Sequence, residues 1–278
     1  MADLKRRVLI IAGAAAGLVT GLVARPAAAQ DLAVFANGQA GRATVDHAAF
    51  DALLARWAHD SSDGVVRVDY AGWRRSNSDR DGLGRYIDHL SALDPQALSR
   101  PEQFAFWANL YNALTLREVI DAWPVKSIRD IRSSLLVAGP WKKTLARVRG
   151  VDLSLDGIEH GILRKGWSDP RVHYAVNCAS FSCPNLRRQA WRGAGLGPTL
   201  DGAARAYVNH SRGVAFKGAA LTVSSIYKWY SSDFGGSDRR VIDHLAGYAA
   251  APLKARLLQV DRIAGDTYNW SINAMENR

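Results

Sequence analysis

Asp169-Pro-Arg-Val-His-Tyr-Ala-Val-Asn-Cys-Ala-Ser-Phe-Ser-Cys-Pro-Asn-Leu186 holds both cysteines of the chain, Cys178 and Cys183. A histidine, His173, stands five residues before the first. The fold class turns on this stretch, because helical patterns lie on both sides of it and it is not one of them. Asp169-Pro170 is a turn signal, since the proline ring fixes φ and pushes the preceding residue out of the helical region. Residues 172–177 then read as a short strand, apolar enough to lie inside. Ala179 and Ser180 break the run. Pro184 suits the first position of a helix, where a missing N–H costs nothing. A buried strand ending in one thiol, with a second thiol at a helix start, suits thiolate chemistry. It suits one structural disulfide equally well, and that choice decides the function.

Upstream, residues 154–164 read as a helix with Ser154 as N-cap and Asp156 and Glu159 near the positive end of its dipole. Leu155, Ile158 and Ile162 define the inward face, and Glu159 lies on or beside it, with His160 one step round. A carboxylate aimed at the core is costly without a partner. The partner is either an arginine, such as Arg164 or Arg171, or a histidine. Further back, Ser99 and Glu102 have capping-box spacing ahead of residues 103–116. Phe104, Trp107, Tyr111 and Leu114 form one apolar face there, and Phe106, Leu110 and Ala113 another. A helix apolar nearly all round belongs in the core. Asn109 and Asn112 share a narrow stripe of it, and buried amides must be hydrogen-bonded. They either brace neighbouring backbone, or one of them orients a catalytic group or helps form an oxyanion hole.

The remaining elements follow from periodicity and turn residues. Residues 44–58 and 83–93 read as helices and 65–70 as a short strand. Residues 125–140 form a connector, 141–149 are partly strand-like, and Gly150 marks a turn. A helix at 200–208 precedes a hairpin around Lys217-Gly218. The aromatic run 226–230 leads to Asp233 and Phe234, and Pro252 separates short helices at 241–248 and 253–258. An extended tail at 268–273 packs back on the domain. The expected fold is α+β: a helix-rich single domain over 30–278 with a small, mostly antiparallel sheet.

The chain has 278 residues, 48% hydrophobic and 22% charged, the balance of a soluble globular protein. Residues 1–29 have the layout of a secretory signal peptide. Lys5-Arg6-Arg7 is a basic start, residues 8–23 are apolar, and Ala27-Ala28-Ala29 is a small-residue cleavage pattern. The expected location is therefore periplasmic or secreted, with membrane contact only through the leader if it stays uncleaved. The leader holds Lys5, Arg6, Arg7 and Arg25 against Asp3, so its removal takes +3 from a formal +10 and leaves +7. Such a surface is compatible with anionic envelope partners. There is no dense Lys/Arg stripe of the kind that marks nucleic-acid binding. Two cysteines in an exported chain ordinarily suggest a disulfide, but one spanning five residues closes too small a loop to stabilise much.

Thiolate chemistry needs a neighbouring imidazole or helix N-terminus. His173 and Cys178 are an odd number of residues apart and face opposite sides of a regular strand, so they meet only if the strand ends or bulges. His160 is therefore a rival base, and Cys183 a rival nucleophile. A five-residue step is outside the usual zinc spacing, so no metal is expected, and no motif implies a cofactor.

Several motifs, in order, resemble the domain of unknown function 547 family over residues 46–273. They are Phe-Trp-Ala-Asn-Leu-Tyr-Asn-Ala-Leu-Thr (106–115), Pro-Val-Lys-Ser-Ile (124–128), Leu-Ser-Leu-Asp-Gly-Ile-Glu-His (153–160), the central stretch through Pro184, and Ile-Tyr-Lys-Trp-Tyr (226–230) with Asp233 and Phe234. Where the family often has Tyr-Asp-Trp, this chain has Tyr268, Asn269 and Trp270. The resemblance implies a mixed helix-and-strand domain, often exported in bacteria, and carries the expectation of a relation to papain-like or transglutaminase-like hydrolases. Relatives in plants tend to keep the cysteine matching Cys178 and replace the one matching Cys183, which favours Cys178 as the functional thiol. The expected function is a periplasmic cysteine-dependent hydrolase or acyl transferase acting on an amide or peptide bond of a peptide-like or envelope substrate. Cys178 attacks, His173 or His160 takes the proton, Glu159 orients the histidine and Asn112 assists at the oxyanion. The competing expectation is a non-catalytic envelope binding or scaffolding domain with a Cys178–Cys183 disulfide.

Overall fold

A helix apolar on every side can satisfy its surface only in the interior, and Arg100–Ala122 lies there: every residue from 102 to 116 is buried. The computed structural model describes residues 32–132 and 138–276; the leader expected over 1–29 lies outside the described residues. Trp107 packs edge-on against Phe106 with ring centroids 4.7 Å apart, and Phe104 against Trp167 at 5.6 Å. Helices Ala48–Trp57 and Asn77–Ala92 cover one flank, where Phe50 stacks on Tyr86 at 4.6 Å.

The expected α+β class holds, and among the described residues the strands are divided among three small sheets. Strand β1 (Ala58–Asp60) pairs antiparallel with β2 (Val66–Val68), and β3 (Ala146–Val148) with β4 (Val151–Leu153) across Arg149 and Gly150. The hairpin expected around Gly218 is β5 (Val214–Lys217) with β6 (Ala220–Ser224), and β7 (Gly265–Thr267) adds to it in parallel. Together with helices Leu196–Val208 and Asp238–Tyr248 this last sheet surrounds a second apolar cluster. The central stretch runs along the junction of the two clusters. Tyr174 packs into the second cluster, while Val172, Ala175 and Val176 pack into the one around the long helix.

Three local expectations are corrected. Residues 172–177 do not form a strand; Pro170–Tyr174 is a 3-10 turn, capped by Asp169, whose carboxylate accepts the Arg171 N–H. A strand needs a neighbour for its backbone groups, and here the Asn112 amide takes that place: Asn112 Nδ2 donates to Ala175 O and Asn112 Oδ1 accepts from Asn177 N. No helix begins at Pro184, because its carbonyl accepts from Asn177 Nδ2 and the chain continues irregularly. Ser99 makes no capping bond; Glu102 instead accepts the N–H groups of Val45 and Gly193, at 3.3 and 2.6 Å, tying two distant segments to the helix start.

Candidate active site

Five residues of separation bring the two sulfurs together because the loop between them is pinned from several sides. Asn177 Oδ1 accepts the Ala179 N–H at 2.8 Å, and the Cys183 N–H closes a turn onto Ser180 O at 3.1 Å. Ala179 sits at φ 60°, in the left-handed region that a non-glycine residue adopts at a cost. The closing tail holds the other side, with Phe181 N donating to Ser271 O, Ser182 N to Asn269 O, and Asn273 N to Ala179 O. The result is a separation of 2.8 Å between Cys178 Sγ and Cys183 Sγ, both free thiols, Cys178 partly exposed and Cys183 buried.

The hydrogen bonds break the symmetry of this pair. The Cys178 backbone N–H can only donate, and it points at Cys183 Sγ from 3.1 Å. The Tyr268 hydroxyl lies 3.2 Å from Cys183 Sγ, 3.3 Å from Cys178 Sγ and 2.7 Å from Ser180 Oγ. Burial by itself raises the Cys183 pKa, but the donors from the Cys178 thiol, Tyr268 and the Cys178 backbone outweigh it and bring it down to about 7. Cys178 moves the other way, held well above the ordinary thiol range by its hydrogen bond to Cys183 and then by burial. The two thiols interact strongly, so their titration belongs to the pair and not to either residue.

A second group of residues faces the same cavity. Glu159 and His160 sit in a π-helical turn, Gly157–Leu163, where the Arg164 N–H reaches back five residues to Glu159 O; such turns recur at functional sites. His173 is 3% exposed and stacks on Tyr230 at 4.3 Å. Its Nε2 is 2.8 Å from Asp233 Oδ2, and its Nδ1 is 3.7 Å from Glu159 Oε1. Asp233 also accepts two bonds from Arg164, at 2.6 and 2.8 Å. Burial opposes its ionisation, but His173 and Arg164 hold the carboxyl well below the usual carboxylate range. An ionised Asp233 places the imidazole hydrogen on Nε2 and leaves Nδ1 as the basic nitrogen. Burial lowers the His173 pKa against the pull of Asp233. Glu159 is shifted up, first by burial, with His160, Tyr111 and Arg164 opposing. The arginines expected as its partners are engaged elsewhere: Arg164 with Asp233, and Arg171 with Asp169 and Asp201.

The cavity holds about 290 Å³, and Cys178, Cys183, His173, Glu159 and His160 all line it. Of the six residues singled out from the sequence, only Asn112 is set back. Both ends of its amide are bound to the backbone of 175 and 177, so it braces the chain that leads into Cys178. Asn109 does the same for Trp191, accepting its N–H and donating to its carbonyl, each at 2.9 Å. His160 approaches Asp156 at 3.7 Å and Glu159 at 3.9 Å. Sequence reasoning left three participants without a role: Asp233 as the partner of His173, Tyr268 on both sulfurs, and Ser180 between them. Asp233 and Tyr268 belong to late motifs that were legible as motifs. The tertiary contacts that give them work were not. Among the described residues no group of three or more His, Cys, Asp and Glu side chains is gathered to hold a metal ion.

Residues 95–208 match the family described as "Protein of unknown function, DUF547". No curated protein and no solved structure matches the chain.

Proposed function

We propose that this chain, a member of the domain of unknown function 547 family through residues 95–208, is a cysteine-dependent acyl transferase or hydrolase working outside the cytoplasm on an amide or ester. The observation that carries this reading is the partly exposed Cys178 on a cavity wall, its sulfur 2.8 Å from a second sulfur able to take its proton. Cys178 Sγ attacks the carbonyl carbon, its proton passing to Cys183 Sγ, and Cys183 gives that proton to the leaving amine or alcohol as the C–N or C–O bond breaks and the thioester forms. Water or another acceptor then attacks the thioester. His173 Nδ1 accepts the incoming proton and returns it to the Cys178 sulfur as the C–S bond breaks, with Asp233 fixing the ring through Nε2 and Glu159 beside Nδ1. Asn112 positions the segment before Cys178, and His160 lies at the cavity edge next to Asp156 and Glu159.

The same contact between sulfurs supports a second reading. Oxidation to a Cys178–Cys183 disulfide removes the nucleophile and leaves a binding or scaffolding domain. Iodoacetamide labelling against pH separates the two, using wild type, Cys178→Ala and Cys183→Ala. The enzyme reading expects Cys178 to label in native protein with the first apparent pKa of the sulfur pair, which lies below the free-thiol value of about 8.5. It also expects a chromogenic aryl ester to leave an acyl group on Cys178. If neither thiol labels until reductant is added, the acyl-transfer reading is dropped for the disulfide.

A further inference from the structure

The charged residues lining the cavity are of one sign, apart from its histidines. The chain carries a formal +10, yet among the described residues no lysine or arginine lines the cavity, whereas Asp156 and Glu159 do. Six of the lining residues are aromatic. Trp229 and Trp270 stack with centroids 5.5 Å apart at 25°, Tyr268 meets Trp270 at 4.5 Å, and Trp141 meets it edge-on at 5.8 Å. Trp229 is 49% exposed although it lines the cavity. The faces of aromatic rings attract cations, and these walls already do so from within the chain. Arg129 lies over Trp270 at 5.5 Å and Arg164 over Tyr230 at 4.8 Å. The Arg164 charge is matched by Asp233. The Asp156 side chain is a third exposed (33%) and has His160 as an ion-pair neighbour at 3.7 Å. An aromatic wall facing carboxylates suits a positively charged group better than a neutral or anionic one.

We propose that the cavity takes an alkylammonium or quaternary ammonium group carried by the amide or ester that Cys178 attacks. This rests on the reading of the cavity as the substrate site of an acyl-transfer enzyme. The cation would lie against Trp229, Tyr268 and Trp270 with Asp156 as its counter-charge, and the acyl carbon would reach the sulfur pair.

Binding is measured on Cys178→Ala protein, which cannot turn over, by calorimetry and tryptophan fluorescence. The probes are n-butylammonium and tetramethylammonium, with n-pentanol and tert-butanol as neutral counterparts and valerate as the anion. The expected result is that each ammonium ion binds about tenfold more tightly than its neutral counterpart. Asp156→Asn and Trp229→Ala should each weaken the ammonium ions severalfold and leave the alcohols unchanged. Equal or tighter binding of the alcohols or of valerate overturns the proposal, as does the absence of ammonium binding at millimolar concentration. Cys178 labelling in wild type scores the nucleophile separately. A reactive Cys178 with no preference for cations removes this inference alone, and cation binding beside an unreactive Cys178 removes acyl transfer alone.

Discussion

At the scale of single residues, the proposed chemistry rests on two sulfurs 2.8 Å apart. A thiol this buried is ordinarily harder to ionise, so the donors around Cys183 are what make a thiolate available near neutral pH. Tyr268 is the side-chain donor that reaches both sulfurs and can be removed without emptying the core, because Tyr268→Phe keeps the ring against Trp229 and Trp270. The substitution should raise the first apparent pKa of the pair by about one unit, since hydrogen bonds to the charged form are lost. The pH profile of iodoacetamide labelling reads this directly. An unmoved profile would mean that the tyrosine only fills space. The odd spacing of His173 and Cys178 set them on opposite faces in the sequence reading, but that argument required a strand. A 3-10 turn followed by irregular chain removes the alternation, and both side chains line the same cavity.

At the scale of elements, the long helix does more than fill the core. Its two buried asparagines hold segments that have no strand partner: Asn109 holds Trp191, and Asn112 the chain between Ala175 and Asn177. Asn112→Ala leaves the Asn177 N–H buried and unpaired, whereas Ala175 O keeps the Trp191 indole as a donor at 3.0 Å. The expected cost is about 2–4 kcal/mol, from the orphaned donor and the space left behind. Urea unfolding monitored by tryptophan fluorescence measures it, and a loss below about 1 kcal/mol would show that the loop finds another partner. The closing tail is the other element with a larger part than its sequence suggests. It pairs with the thiol loop through Ser180 and Ile272, and it delivers Tyr268 and Trp270 to the cavity.

At the scale of the whole molecule, buried histidines set how stability depends on pH. Burial lowers the pKa of His47, His173 and His244, the last to about 4. Below about 6.5 the unfolded chain takes up protons that these folded histidines refuse, so stability is lost as pH falls from about 6.5 toward the folded values. For His244 that window ends near 4, and its full contribution is on the order of 3 kcal/mol. Glu159 acts in the opposite sense, because its raised pKa favours the folded state as pH falls; it is one group against three. Aspartates held low by arginines, such as Asp201 with Arg171, add their loss only below the ordinary carboxylate range. The melting temperature should therefore drop between pH 6.5 and 4.5, and His244→Phe should flatten the slope. A melting temperature that stays level or rises over that range contradicts this assignment.

Periodicity and turn residues were enough for the long buried helix and the hairpin at 214–224, and together with the family resemblance for the α+β class. These depend on local propensity and on the burial of a pattern written in consecutive residues. The Pro-Asn region after Cys183, the supposed strand at 172–177 and the supposed capping box lay beyond it. In each, a distant side chain (Asn177, Asn112 or Glu102) finds a backbone partner that local rules assign elsewhere. The candidate site divides the same way. Its residue types and motifs were readable, including Cys178, Cys183, His173, Glu159 and His160, but their gathering on a common cavity was not. That the sulfurs touch, that Asp233 holds His173 and that Tyr268 caps the pair were decided by tertiary structure. Such contacts join positions as much as ninety residues apart, and nothing in the local pattern of either segment encodes the other.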